Sequence, residues 1–178
     1  DNFLRIDMEN SKLTDCSINL YNELNKLSNN IGIVFQAYLH RTENDIRVLN
    51  DGSNIRICKG IYNESEKIAY QNYNDINNNF LKILRIAFEK NIYVGIATHD
   101  KELIRSCIEI IDTMNIPLNK FEFQYLHGVP MNNMMEIYTQ RGYKVRVYVP
   151  FGKEWYDYSM RRIKENPKII SYIIKNIF

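Results

Sequence analysis

Tyr93-Val94-Gly95-Ile96-Ala97-Thr98-His99-Asp100-Lys101-Glu102-Leu103-Ile104-Arg105-Ser106-Cys107-Ile108-Glu109-Ile110-Ile111 contains one whole building unit of this chain. Residues 93–98 form a near-continuous apolar run, the pattern of a strand covered on both faces. Asp100 stands where a helix N-cap belongs. Leu103, Ile104, Cys107, Ile108 and Ile111 then follow the 3–4 spacing of an amphipathic helix. Strand, cap and helix in immediate succession read as a βα unit.

The same alternation recurs on both sides. Further strand-like runs are Phe3–Met8, Gly32–Tyr38, Ile55–Lys59, Phe121–Leu126 and Lys144–Val149. Helical stripes lie between them: Leu13, Cys16, Ser17, Leu20, Leu24 and Leu27, then Ile76, Phe80, Ile83, Leu84 and Ala87, and a shorter one of Met131, Met134, Met135 and Tyr138. Each stripe is expected to face the core. Asn63–Asn79 is polar and rich in asparagine, and reads as a long loop. Alternation of this kind implies an α/β fold with a parallel sheet and right-handed crossovers. No Gly-rich dinucleotide fingerprint follows the first strand.

Composition narrows the function. The chain has 178 residues, with 23 Lys plus Arg against 21 Asp plus Glu, a formal net charge of +2. So even a balance argues against a dedicated nucleic-acid binder. With 7 Gly and 4 Pro the chain is not of low complexity. The 3 cysteines, Cys16, Cys58 and Cys107, form neither a zinc pattern nor a disulfide framework, which favours a reducing compartment. No apolar run nears the roughly 18 residues of a membrane span, so a soluble or at most peripheral protein is expected.

Polar residues collect at the C-terminal ends of the strands. The first run ends Asp7-Met8-Glu9. The second carries Gln36 and Tyr38. The third carries Arg56 and Lys59-Gly60, with Tyr62 just beyond. The fourth ends Thr98-His99-Asp100. The fifth contains Glu122 and Gln124 and runs on to His127, and the sixth carries Arg146 and Tyr148. In a (β/α)8 barrel the active site is assembled at that end from several strands. A polar group in an apolar strand is costly to bury without a partner. Structural roles stay open: Asp7 and the His99-Asp100 pair as helix caps, Gln36 as a partner for neighbouring backbone, Arg5 and Arg146 as interior ion-pair members, and His40 and His127 as loop residues. The adjacent Arg161 and Arg162 can approach one anion from two directions, since consecutive helical side chains diverge by about 100°. Glu165 lies one turn on, within reach of either guanidinium. Arginine suits carboxylates through its planar fork, and a solvated helix face is the competing reading.

Taken together, Phe3-Leu4-Arg5-Ile6-Asp7-Met8-Glu9, Gly32-Ile33-Val34-Phe35-Gln36-Ala37-Tyr38, Arg56-Ile57-Cys58-Lys59-Gly60-Ile61-Tyr62, Ala97-Thr98-His99-Asp100, Phe121-Glu122-Phe123-Gln124-Tyr125-Leu126-His127-Gly128 and Tyr148-Val149-Pro150-Phe151-Gly152 with Arg161-Arg162 resemble the proline dehydrogenase family. The motifs stand in the family's order with similar spacing, across essentially the whole chain. The resemblance implies a TIM-like (β/α)8 barrel. It implies a monofunctional bacterial flavoenzyme, since no aldehyde dehydrogenase domain follows Phe178. That enzyme oxidises L-proline to 1-pyrroline-5-carboxylate through FAD and passes the electrons to a quinone at the membrane. A cytoplasmic protein, peripheral on the inner face of the membrane if it touches it, is implied.

Residue by residue, Asp7 and Arg56 match the family's catalytic positions, Arg56 beside the flavin N5. Met8, Gln36, Lys59, Gly60, Ile61, Thr98 and His99 match flavin-contacting positions. Arg161 and Arg162 match the pair that binds the proline carboxylate, with Glu165 orienting it. Tyr62, Leu126 and Tyr148 match the walls around the proline ring. Two departures stand out. The family's two preceding strands are missing, and with them a lysine that contacts substrate and pairs with the aspartate matched by Asp7. Ile61 replaces the usual Ala, and Phe151 a frequent Tyr. A whole barrel needs about 250 residues. Residues 1–178 are therefore expected to be one truncated barrel domain, the last six βα units, which the missing initiator Met also suggests. The competing readings are a metal-dependent TIM-barrel hydrolase or lyase using Asp7, His99, Asp100 and Glu122, and an inactive fragment of the flavoenzyme.

Overall fold

The computed structural model describes residues 2–127, 129, 131, 133–149, 151–153, 156 and 160. Among them, six strands form one parallel sheet in chain order: β1 (Leu4–Ile6), β2 (Ile31–Gln36), β3 (Asn54–Cys58), β4 (Tyr93–Ala97), β5 (Phe121–Leu126) and β6 (Val145–Tyr148). The helices between them are α1 (Thr14–Asn25), α2 (Thr42–Arg47), α3 (Tyr73–Glu89), α4 (Lys101–Thr113) and α5 (Met134–Gln140). α1 packs on β2, and α3 on β3 and β4.

Strand register separates the two faces of the sheet. Ile33, Ile55, Val94 and Phe121 are paired across four strands, and each has 0% of its surface exposed. The next apolar row is Phe35, Ile57, Ile96, Phe123 and Val145. Both rows belong to the main core with Phe80, Ile83, Leu84 and Ala87 of α3 and Leu103, Ile104 and Cys107 of α4. Each such side chain contributes about 1.5–3 kcal/mol on full burial. The alternate rows are Val34, Arg56, Gly95 and Glu122, then Ala97, Gln124 and Arg146. Side chains alternate along a strand, so this second face carries the polar groups.

Three helices end on one device. Asn91, Asn115 and Gly142 take left-handed φ values of 55°, 51° and 79° after α3, α4 and α5. The next amide then reaches back five residues: Ile92 N to Ala87 O, Ile116 N to Ile111 O, and Tyr143 N to Tyr138 O. This closing motif satisfies orphan carbonyls and turns the chain toward the next strand.

Three sequence expectations need correction. α3 begins at Tyr73, inside the segment read as loop. Asn72 caps it, accepting from Asn74 N at 2.8 Å, and buried Asn79 donates to Ala37 O at 2.6 Å. Here asparagine caps and anchors a helix. α2, which the sequence reading passed over, is a short polar helix that buries only Thr42 and Ile46. Around α1 most of the leucine stripe does not face the core: Leu13, Leu20 and Leu27 are exposed, as is Cys16. Thr14 and Tyr21 are buried, and Ile18 and Leu24 pack beside them. Tyr21 presents the largest apolar body on the helix and sets which side is inward.

Candidate active site

The ends of β1 to β5 and the loops after them meet at the C-terminal edge of the sheet. Gln36, 3% exposed at the end of β2, donates through Nε2 to Met8 O at 3.2 Å and Glu9 O at 3.0 Å. Two carbonyl acceptors fix the orientation of its amide. They leave Gln36 Oε1 buried with no hydrogen-bond partner among the described residues, and such an atom carries a desolvation cost of about 1–3 kcal/mol. Met8 is buried beside it, while Asp7 is exposed and accepts from Met8 N at 3.0 Å. Asp7 caps no helix; Asn10 caps the short turn that leads into α1.

After β3 the backbone turns at Gly60, whose φ is 109°. A Cβ there would collide with the Tyr38 ring, so both conformation and space require glycine. The loop continues through Ile61 to Tyr62, whose hydroxyl donates to Glu9 at 2.5 Å. Glu64 accepts from Ser11 N at 2.7 Å, again joining the loops after β3 and β1.

Lys59 and Asp100 form the charged pair of this end, 2.6 Å apart. The Lys59 ammonium also lies 4.1 Å from the centre of the Tyr73 ring, and the Tyr73 hydroxyl donates to Asp100. Asp100 Oδ1 caps α4, accepting from Glu102 N and Leu103 N at 3.1 and 3.3 Å, and Asp100 N donates to Thr98 Oγ1 at 3.2 Å. Burial pushes the Asp100 carboxyl up, but hydrogen bonds from Lys59 and Tyr73 outweigh it and hold the group at about 2. His99 reaches sideways: its Nε2 accepts from Leu126 N at 2.9 Å, linking the ends of β4 and β5. Burial lowers its pKa, in keeping with a neutral ring that accepts at Nε2.

Deeper on the polar face, Arg56 donates through Nε to Gln124 Oε1 at 2.6 Å, and its guanidinium lies 5.9 Å from the centre of the Tyr148 ring. Gln124 Nε2 donates to Glu122 Oε1 at 2.6 Å. Glu122, with 0% exposure, takes a two-point contact from Arg146 at 2.6 and 3.0 Å and a hydrogen bond from Tyr93 at 2.9 Å; Lys144 lies 3.2 Å away. Burial opposes its charge, yet hydrogen bonds from Arg146, Gln124 and Tyr93 prevail and hold it at about 2. Arg5 donates to Asn54 at 2.7 Å. Burial and the charge of Arg56 bring Arg5 down to about 10, still a cation at neutral pH.

The structure thus gathers Met8, Gln36, Arg56, Lys59, Gly60, Thr98, His99, Leu126 and Tyr148 along one end and one face of the sheet. Ile61 and Tyr62 lie on the adjoining loop. Arg161, Arg162 and Glu165 lie outside the described residues. His40 contacts Glu66 O and Tyr70, and His127 N donates to Tyr148 O at 2.8 Å; both are loop residues. One residue and one pairing escaped the sequence reading. Tyr73 was read as loop, and the pairing of Gln124 with Arg56 spans 68 positions. The only advance signal for Gln124 was its alternation with Glu122 on β5.

Residues 1–173 match the family model for proline dehydrogenase. The chain belongs to the proline dehydrogenase family. It is similar to proline dehydrogenase 2 of Bacillus subtilis strain 168, with 37% identity over 174 residues, covering 97% of this chain and 57% of that protein. The proline dehydrogenase of Deinococcus radiodurans is 31% identical over 178 residues, again with 57% of its length covered. The chain therefore spans little more than half of these relatives. Among solved structures, proline utilization A from Bdellovibrio bacteriovorus, inactivated by N-propargylglycine, superposes with a TM-score of 0.76 at 25% identity. That match covers 85% of this chain and 18% of the other. A proline utilization A with proline bound in remote sites gives a TM-score of 0.75 at 19% identity, over 90% of this chain and 19% of that one, and speaks for the fold alone. Among the described residues no helix is long and apolar enough to cross a membrane.

Proposed function

We propose that this chain forms the flavin- and substrate-facing part of a proline dehydrogenase, six units of a (β/α)8 barrel. The enzyme oxidises L-proline to 1-pyrroline-5-carboxylate and delivers the electrons to a quinone. The observation that carries the reading is Gln36 Oε1: a buried acceptor with no donor among the described residues, in a fixed orientation, on the strand paired with the one that carries Arg56 and leads into Lys59. A flavin ring offers the N–H donor such an atom lacks. The residues present fit FAD: Gln36 supplies the acceptor, Gly60 keeps the loop backbone bare, and Lys59, Thr98 and His99 supply polar groups around it, with Met8 and Ile61 giving apolar contact. FAD, when bound, supplies the two-electron oxidation.

The chain's own residues then bind, orient and shield. Arg56 places a positive charge where negative charge develops, fixed before reaction rather than recruited from solvent. Tyr62, Leu126 and Tyr148 wall an apolar ring. Arg161 and Arg162 hold the proline carboxylate, with Glu165 orienting them, so that one end of the substrate is anchored and the reacting carbon is set. Asp7 contributes a carboxylate at the rim.

The metal-dependent alternative finds its donors already engaged. Glu122 is held by Arg146, Tyr93 and Gln124, Asp100 by Lys59 and Tyr73, and His99 Nε2 by Leu126 N. FAD titration into the chain, followed by flavin fluorescence and proline-dependent dye reduction, tests the proposal. Saturable FAD binding with dye reduction in the longer gene product is expected. Saturable binding without dye reduction supports the inactive-fragment reading, and no FAD binding by either protein overturns the proposal.

A further inference from the structure

We propose that Gln124 is a positioning residue for Arg56, passing the fixed geometry of buried Glu122, clamped by Arg146, across one whole strand to the Arg56 guanidinium. The functional part of this inference rests on the role proposed above for Arg56; the positional part does not.

Gln124 lies on β5 and Arg56 on β3, with β4 between them. Its amide makes that crossing over Gly95, which is paired with Arg56 on one side and Glu122 on the other. A Cβ at Gly95 would stand 2.8 Å from Gln124 Cδ and closer still to Nε2. The missing side chain is the passage through which the amide reaches.

The direction of that amide is dictated by its neighbours. Ionised Glu122 only accepts, and Arg56 only donates. Gln124 must turn Nε2 to the first and Oε1 to the second, and both distances are 2.6 Å. Gln124 is 5% exposed and Glu122 is fully buried, so water does not substitute easily for either partner. Glu122 cannot swing, because Arg146 grips both its oxygens. Holding Arg56 at Nε fixes the plane of its guanidinium. An arginine stem is otherwise free to sample many rotamers. The relay selects one.

The test reads Arg56 directly and needs neither flavin nor substrate. In the full chain labelled with 15N-arginine, the Arg56 Nε–H signal is assigned by its loss in Arg56→Lys. It should exchange with solvent at least about tenfold more slowly than that of exposed Arg105. Gln124→Met, nearly the same shape without the acceptor, should abolish the protection, and Gly95→Ala should do so by closing the passage. In the longer, flavin-loaded gene product, Gln124→Met should lower kcat for proline about tenfold with flavin content unchanged. Protection that persists in Gln124→Met or in Gly95→Ala overturns the inference. If the unsubstituted gene product oxidises no proline, the proposed function fails, while the exchange measurement still decides whether Gln124 positions Arg56.

Discussion

The two ends of the sheet's polar face use the same residue types to opposite effect. Around Glu122, at the N-terminal half, charge and acceptor are matched: Arg146, Tyr93, Gln124 and Lys144 converge on one carboxylate. Around Gln36, at the C-terminal half, a buried amide oxygen is left without a donor. Matched groups hold a sheet together; an unmatched one is a cost that a ligand can relieve. The difference separates the half that supports from the half that binds.

Removing Glu122 should break the supporting half and give the largest effect. Glu122→Ala leaves the buried Gln124 amide and the part-buried Tyr93 hydroxyl without their acceptor, at about 1–3 kcal/mol each, while half-exposed Arg146 can turn to solvent; the loss is read as a lowered urea midpoint. Gly95→Ala attacks the same half by crowding and should cost about 1–3 kcal/mol, measured in the same way. Acid titration tests the charges of both halves. Glu122 and Asp100 are both held at about 2, against about 4 in an unfolded chain. Their stabilisation is complete above the unfolded value and is lost as pH falls through about 2. Lys59→Met removes the pairing of Asp100 alone, so it should flatten part of the acid limb while Glu122 keeps the rest, as seen by circular dichroism from pH 7 to 2. Gln36→Leu should disturb stability least, because removing the orphan oxygen offsets the lost bonds to Met8 and Glu9. It should nonetheless weaken FAD binding about tenfold, measured by fluorescence titration. A large stability loss with unchanged FAD affinity would erase the contrast between the halves.

Much of this was legible in the residues. Asp100 as a cap, Cys107 as a buried thiol, Arg146 in an ion pair and the six strands follow from period, capping chemistry and the cost of burying polar groups. What escaped depends on choices between near-equal alternatives. α1 offers two apolar stripes, and the more numerous leucines lost to Tyr21. Asparagine-rich sequence suits loops, yet Asn72 and Asn79 build a helix start. Gln124 meets Arg56 over an intervening strand, a relation set by register and by the empty space at Gly95, which no local spacing encodes.

The sheet order has a consequence for how the chain assembles. Among the described residues every strand pairs only with its neighbours in chain order, and each connection is a single crossover. Emerging from the ribosome, each new strand finds the edge it needs already made. The six strands can add by accretion in the direction of synthesis. A stalled chain would therefore present a shorter version of the same sheet, and its newest strand would be the edge most exposed to mispairing.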